Sequence, residues 1–243
     1  MGPGKREQME EAMDRKESML HKLYEVYAHW VSRYPLACQK GCSACCTQSV
    51  TMTSLEGEEI IGFFRKQGEE KKLSGLLAEI PFAASGTFMT TNKFARLCLE
   101  QREIDDNSHG TWNFESCIFL ADDVCTIYEV RPFGCRSFGS QRKCAAGSPA
   151  EVAPLHVTVN TVFTQIIEHL SSDGGYWGNM ADILKVQTGQ STGKQVAEAR
   201  SLPGFLIEPS EEEQVHRLLS KLFTEPVGAK SFAELIDNSK MME

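Results

Sequence analysis

Residues 38–46 read CQKGCSACC and place Cys38, Cys42, Cys45 and Cys46 in one short run. Thiolates are favoured ligands of soft and borderline metals, and a run this dense has room only to loop around a site. A second group, Cys117, Cys125, Cys135 and Cys144, lies far downstream, and Cys98 stands alone between the two. The eight grouped cysteines are the candidate ligands. The fold is expected to bring both stretches together around a metal ion or cluster.

Composition decides between ligation and disulfide stapling. A chain of 243 residues with 41% hydrophobic content buries an ample core without staples, and nine cysteines cannot all pair. The segment MGPGKREQMEEAMDRKE is polar where a signal peptide needs an apolar centre, so the reducing cytoplasm is the expected location. No apolar run approaches the roughly 18 to 20 residues that cross a bilayer, and no membrane partner is expected. With 25 basic against 33 acidic residues and a net charge of -8, the chain has the wrong sign for gripping phosphate backbones. Nucleic acid is therefore not an expected ligand, and no residue pattern points to a protein partner. Arg131, Arg136, Arg142 and Lys143 form a local basic exception among the second cysteine group. They read either as compensation for a negative tetrathiolate site, donating hydrogen bonds to sulfur, or as an ordinary solvated loop.

Outward from the first cysteine run, residues 5–34 are expected to form one N-terminal helix. Met13, Leu20, Leu23, Tyr24, Tyr27, Trp30, Val31 and Tyr34 recur at helical spacing and draw one apolar stripe, and Pro35 ends it. Thr53 and Glu56 have capping-box spacing at the head of a second helix, SLEGEEIIGFFRKQG, and TTNKFARLCLEQRE is expected to be a third. Cys98 falls inside the third, between Leu97 and Leu99, and reads as a packing residue. Residues 104–116 read as loop. CIFL and VCTIY then form a β-hairpin with a three-residue turn at Ala121, Asp122 and Asp123. In that register Phe119 faces Cys125, and Cys117 and Cys125 share a face as diagonal neighbours roughly 7 to 8 Å apart. RPFGCRSFGSQRKC, with Pro132, Gly134 and Gly139, reads as turns that fold Cys135 and Cys144 back toward that face.

Helical patterning returns in VNTVFTQIIEHL, EEEQVHRLLSKLF and SFAELI, with glycine-rich breaks at DGGYWGN and QTGQSTGK. His156, His169 and His216 fall in this half without zinc-like spacing and read as structural or surface residues. The expected fold is a single domain over 1–243, mainly α with a small β-hairpin, its helices packed around the cysteine-rich site. Within it, 38–146 is the metal-binding core and 150–243 a helical cover.

GCSACC, then Cys117, Cys125, Ile127–Tyr128, Arg131–Pro132 and Cys135–Arg136, resembles the CxxCxxCC cysteine-cluster proteins, the YkgJ-like family of zinc- or iron-chelating domains. The resemblance covers the chain up to about residue 145 and implies ligand roles for Cys42, Cys45, Cys46, Cys117, Cys125 and Cys135. Three residues separate Cys38 from Cys42 where the family name implies two, and Cys144 lies beyond the shared core.

The metal stays open between zinc and an iron-sulfur cluster such as [4Fe-4S]. A closed zinc site is best announced by two CxxC pairs, and only Cys42 and Cys45 form one; the continuous ferredoxin run is also absent. A resemblance to the cysteine region of the flagellin lysine methylases inclines the reading to iron and sulfur. Successive side chains of an extended segment point to opposite sides, so Cys45 and Cys46 read as serving two sites, and the eight thiols as two four-cysteine centres or as one centre beside redox-active thiols that exchange disulfides.

Three functions follow from these residues. The adopted one is a metal-binding module. An iron-sulfur-dependent enzyme of methyl or electron transfer, with a pocket under the C-terminal helices, is the alternative, and a redox-active or structural thiol protein is the third. No nucleotide fingerprint, P-loop, HExxH or nucleophile triad supports the enzyme, and TGQSTGK lacks the order of a phosphate loop.

Overall fold

A computed structural model of the chain describes residues 3–80, 89–104, 113–144, 149–193 and 196–236. The described residues are mainly helical, with small antiparallel strand pairs. Helix α1 (Pro3–Val31) buries Leu20, Leu23, Tyr27 and Trp30 of the expected stripe, and Met19 and Val26 join them, while Met13 stays exposed. It ends at Val31 rather than at Tyr34. The amides of Arg33 and Tyr34 donate to the carbonyls of Trp30 and Val31, tightening the chain into short turns ahead of Pro35.

The stripe of α1 packs against α6 (Pro154–Leu170), α8 (Glu212–Thr224) and α9 (Phe232–Leu235), with Leu20, Leu23, Phe163, Ile166, Leu222 and Phe232 fully buried among them. Each such side chain contributes about 1.5–3 kcal/mol of burial. A second core surrounds α2 (Ser54–Lys66), α3 (Glu70–Ala78) and α7 (Met180–Gln187), with Ile60, Phe64, Leu73, Leu77, Ile183 and Leu184 at its centre. Helix α2 starts at the expected capping box: Thr53 Oγ1 accepts from the Glu56 amide, and the Glu56 carboxylate accepts from the Thr53 amide. The third expected helix is α4 (Thr91–Leu99), capped by Thr90, and it leaves Cys98 half-buried.

The segment DGGYWGN is not a break. Tyr176–Asn179 is the central strand of a three-stranded antiparallel sheet, between Thr51–Thr53 and Ala197–Glu198, with Thr51 opposite Asn179 and Tyr176 opposite Glu198. In chain order these strands are β1 (Thr51–Thr53), β4 (Tyr176–Asn179) and β5 (Ala197–Glu198), with the hairpin β2 (Leu120–Ala121) and β3 (Val124–Cys125) between β1 and β4. A last pair, β6 (Pro226–Val227) and β7 (Lys230–Ser231), precedes α9.

The hairpin register differs from expectation by one residue. Ala121 pairs with Val124 and Leu120 with Cys125, so the turn is only Asp122–Asp123. Both aspartates take left-handed φ, 47° and 61°, which this side chain tolerates and which a two-residue hairpin turn requires. Leu120, not Phe119, therefore stands opposite Cys125. Cys117 lies ahead of the strand, in a turn closed by the Leu120 amide on its carbonyl at 3.0 Å. Phe119 and Ile127, on either side of the hairpin, are buried in the second core and seat the hairpin on α2. RPFGCRSF is likewise more than turns: Phe133–Ser137 forms the short helix α5, entered through Pro132. The loop expected at 104–116 lies largely outside the described residues, as 105–112 are not among them. Among the described residues no helix is long and apolar enough to cross a membrane.

Candidate metal centre

The first cysteine run is held at both ends. The Ala37 amide donates to Ser140 O at 2.8 Å and the Ser140 amide to Cys38 Sγ at 3.2 Å, pinning the start of the run to the stretch after α5. The chain then turns where the Cys42 amide reaches Gln39 O, with Gly41 at φ +91°, a conformation open to glycine without strain. Ser43 Oγ donates to Asp123 Oδ1 at 2.6 Å, which ties the middle of the run to the hairpin tip. At its end Thr47 and Ser116 form an antiparallel bridge, flanked by the Gln48 amide on Glu115 O and the Cys117 amide on Cys46 O, both at 2.9 Å. That register sets Cys46 opposite Cys117 on one face, and the two distant cysteine groups meet there.

Cys117 and Cys125 pack half-buried against the second core. Cys135 arrives on α5, which lies directly on β1. A Cβ at Gly134 would come 2.9 Å from Thr51 O and 3.1 Å from Val50 Cγ1, so the close approach depends on glycine. Glu56, 3% exposed, fixes the head of α5. Its Oε1 accepts from the Phe133 amide at 2.6 Å and from Tyr24 Oη at 2.9 Å, while Oε2 accepts from the Thr53 amide at 2.8 Å. Sequence spacing finds Glu56 as a helix cap but not as the post that holds a cysteine-bearing helix; a carboxylate buried in the first turn of an apolar helix was the available signal.

The thiols fall into two sets by electrostatic neighbourhood. Cys46 feels the charges of Cys117, Cys125 and Cys135, and Cys135 those of Cys117 and Cys125. Cys38 feels Cys42, Cys45 and Cys144 instead. The vicinal pair joins the sets: the Cys45 thiol donates to the Cys46 sulfur, which lowers the pKa of Cys46 and raises that of Cys45. Burial pushes Cys135 up to about 12, with the charges of Cys117 and Cys125 adding to the rise and Arg131 opposing it. Burial also raises Cys117 and Cys38, offset in part by the amides of Phe119 and Ser140. Half-buried thiols with pKa values raised in this way keep their protons at neutral pH until a cation displaces them. All nine cysteines are free thiols. Among the described residues no three His, Cys, Asp or Glu side chains stand close enough to hold a single ion, so the thiols are gathered without converging on a point.

The surrounding cations are now distinguishable. Arg142 is solvated and pairs with Glu151 at 2.8 Å. Arg136 lies over the Tyr24 ring and uses Nε and Nη2 on the carbonyls of Arg131 and Glu129. Arg131 lies over the Tyr128 ring with Nε and Nη1 buried and unpartnered. Of the histidines, His156 is buried against the Trp30 and Tyr34 rings, His169 Nδ1 accepts from the Leu202 amide, and His216 faces solvent on α8. By the chemistry of its donors, a set of sulfur ligands alone with an unpartnered arginine four residues before Cys135, the site suits zinc or an iron-sulfur cluster.

No curated protein and no solved structure matches the chain. Residues 37–154 match the family model CxxCxxCC, whose description is "Putative zinc- or iron-chelating domain". The matched span contains all eight grouped cysteines and reaches past Cys144, which the motif alone left outside the shared core. Over residues 37–154, just under half of the chain, the sequence is thus similar to the domain that the CxxCxxCC family model describes.

Proposed function

We propose that the chain holds zinc or iron in two thiolate centres. The inner centre is made by Cys46, Cys117, Cys125 and Cys135, and the outer by Cys38, Cys42, Cys45 and Cys144. The division of the vicinal pair carries this reading: Cys46 stands opposite Cys117 beside the Thr47–Ser116 bridge, while Cys45 shares its neighbourhood with Cys38. Four cysteines per centre is the ligand count of closed zinc sites and of [4Fe-4S] clusters alike.

When bound, the group supplies either a structural cross-link or an electron-accepting centre. The chain's own residues gather the sulfurs, orient α5 through Glu56, and leave Cys135 half-buried. A core large enough to fold without staples and an odd count of nine cysteines suit a reducing compartment, and we place the protein in the cytoplasm on that ground. Metal analysis of oxygen-free Cys45→Ser and Cys46→Ser proteins tests the division. Each variant should lose the metal of one centre and keep the other. Complete loss in both, or full retention in both, would overturn the two-centre reading.

A further inference from the structure

We propose that Arg131 is the positioning residue of the inner centre, its buried guanidinium donating N–H groups to thiolate sulfur and offsetting the negative charge gathered there. This rests on the inner centre proposed above. Of the basic residues around the second cysteine group, Arg142 is engaged by Glu151 and Arg136 by two backbone carbonyls. Arg131 differs from both. Its guanidinium lies 3.6 Å from the centroid of the Tyr128 ring, and Lys40, from the first cysteine run, places Nζ 5.3 Å from the same ring. Stacking uses the face of the guanidinium and leaves its edge free to donate.

On that edge Nε and Nη1 are buried without an acceptor. An arginine cannot shed its proton, so two buried donors without partners stand at a cost that a nearby anion removes. Cys135 lies four residues on, in the turn closed by its amide on Pro132 O at 3.0 Å, which keeps the cysteine near Arg131 and its thiol under the influence of that charge. A neutral thiol is a weak acceptor and a thiolate a stronger one, so ligation is what completes these hydrogen bonds. Tyr128 thereby serves as a platform that sets the angle of the guanidinium and brings a cation from each cysteine group to one ring.

Cobalt(II) titration of the Cys45→Ser protein, which retains the inner centre, tests this with Arg131→Met and Arg131→Lys added in turn. Arg131→Met keeps the stem over Tyr128 and removes the donors. It should bind cobalt about 10- to 100-fold more weakly and shift the sulfur-to-cobalt charge-transfer band to lower energy, as loss of hydrogen bonds to a metal ligand predicts. Arg131→Lys keeps the charge without the planar fork and should give a smaller loss of affinity with a band still displaced. Unchanged affinity and band in either variant would overturn the assignment, and weaker binding without a band shift would mark a purely structural role and overturn it equally. If Arg131→Met fails to fold, Arg131→Lys decides alone. Absence of cobalt binding in the Arg131 parent would refute the inner centre as a single-ion site and the Arg131 assignment with it, a result separable from failure of Arg131 alone.

Discussion

Replacing Glu56 tests how α5, and with it Cys135, is held. The carboxylate accepts from four buried or half-buried donors on three elements: Tyr24 Oη of α1, the Thr53 amide and hydroxyl of β1 and the Phe133 amide of α5. Glu56→Ala removes the acceptor of all four, at about 1–3 kcal/mol each before relaxation, so a net loss of about 3–5 kcal/mol is expected. Glu56→Gln keeps one carbonyl oxygen for Tyr24 and Phe133 but turns an amide donor toward the Thr53 N–H, and should cost about 1–3 kcal/mol. Tyr24→Phe removes a single donor and leaves the carboxylate its other partners, for about 0.5–1.5 kcal/mol. Urea unfolding of the metal-free proteins, followed by far-ultraviolet circular dichroism, gives the three values. Two results would refute the reasoning: Glu56→Ala within about 0.5 kcal/mol of the parent, or Glu56→Gln as damaging as Glu56→Ala.

Gly134→Ala should cost about 1–3 kcal/mol, because its methyl meets the Thr51 carbonyl at 2.9 Å and lifts α5 from β1; a neutral outcome in the same urea assay would show that the contact is slack. Asp122→Gly removes the left-handed strain at φ 47° and should raise the urea midpoint slightly, by roughly 0.5 kcal/mol in stability, whereas a fall would contradict the two-residue turn. Zinc affinity should rise with pH. Cys117 and Cys135 both have raised pKa values, so each keeps a proton at neutral pH that the metal must displace. Two displaced protons give at least about a hundredfold tighter binding per pH unit in a chelator competition near neutrality, and a pH-independent affinity would show that these thiols are not ligands.

Much of the scaffold was legible because its signals are local. The α1 stripe and the Thr53–Glu56 box follow from spacing alone; the box appears as expected, and so does the stripe from Leu20 to Trp30, while Met13 stays exposed. Pro35 bounded α1 only from outside, since nothing in the spacing distinguishes a last helical turn from the short turns that replace it after Val31. Strand β4 was hidden because YWGN lies among glycines and lacks alternation; its partners, β1 and β5, lie far off along the chain. Helix α5 is too short for periodicity to register. The hairpin slipped by one residue because Asp–Asp is a less familiar two-residue turn than Asn–Gly or Asp–Gly. The cysteines themselves were legible as candidates, but their grouping was not. It depends on the bridge of Thr47 with Ser116, a pairing that local pattern does not encode.

The most direct test of two thiolate centres is the metal and acid-labile sulfide content of the full chain purified without oxygen, read with its visible spectrum. A cluster at the inner centre predicts a coloured protein containing iron and sulfide, with metal in excess of what four cysteines hold. Zinc at both centres predicts a colourless protein with two equivalents. A protein with native far-ultraviolet circular dichroism and no bound metal would contradict the assignment of these thiols as ligands.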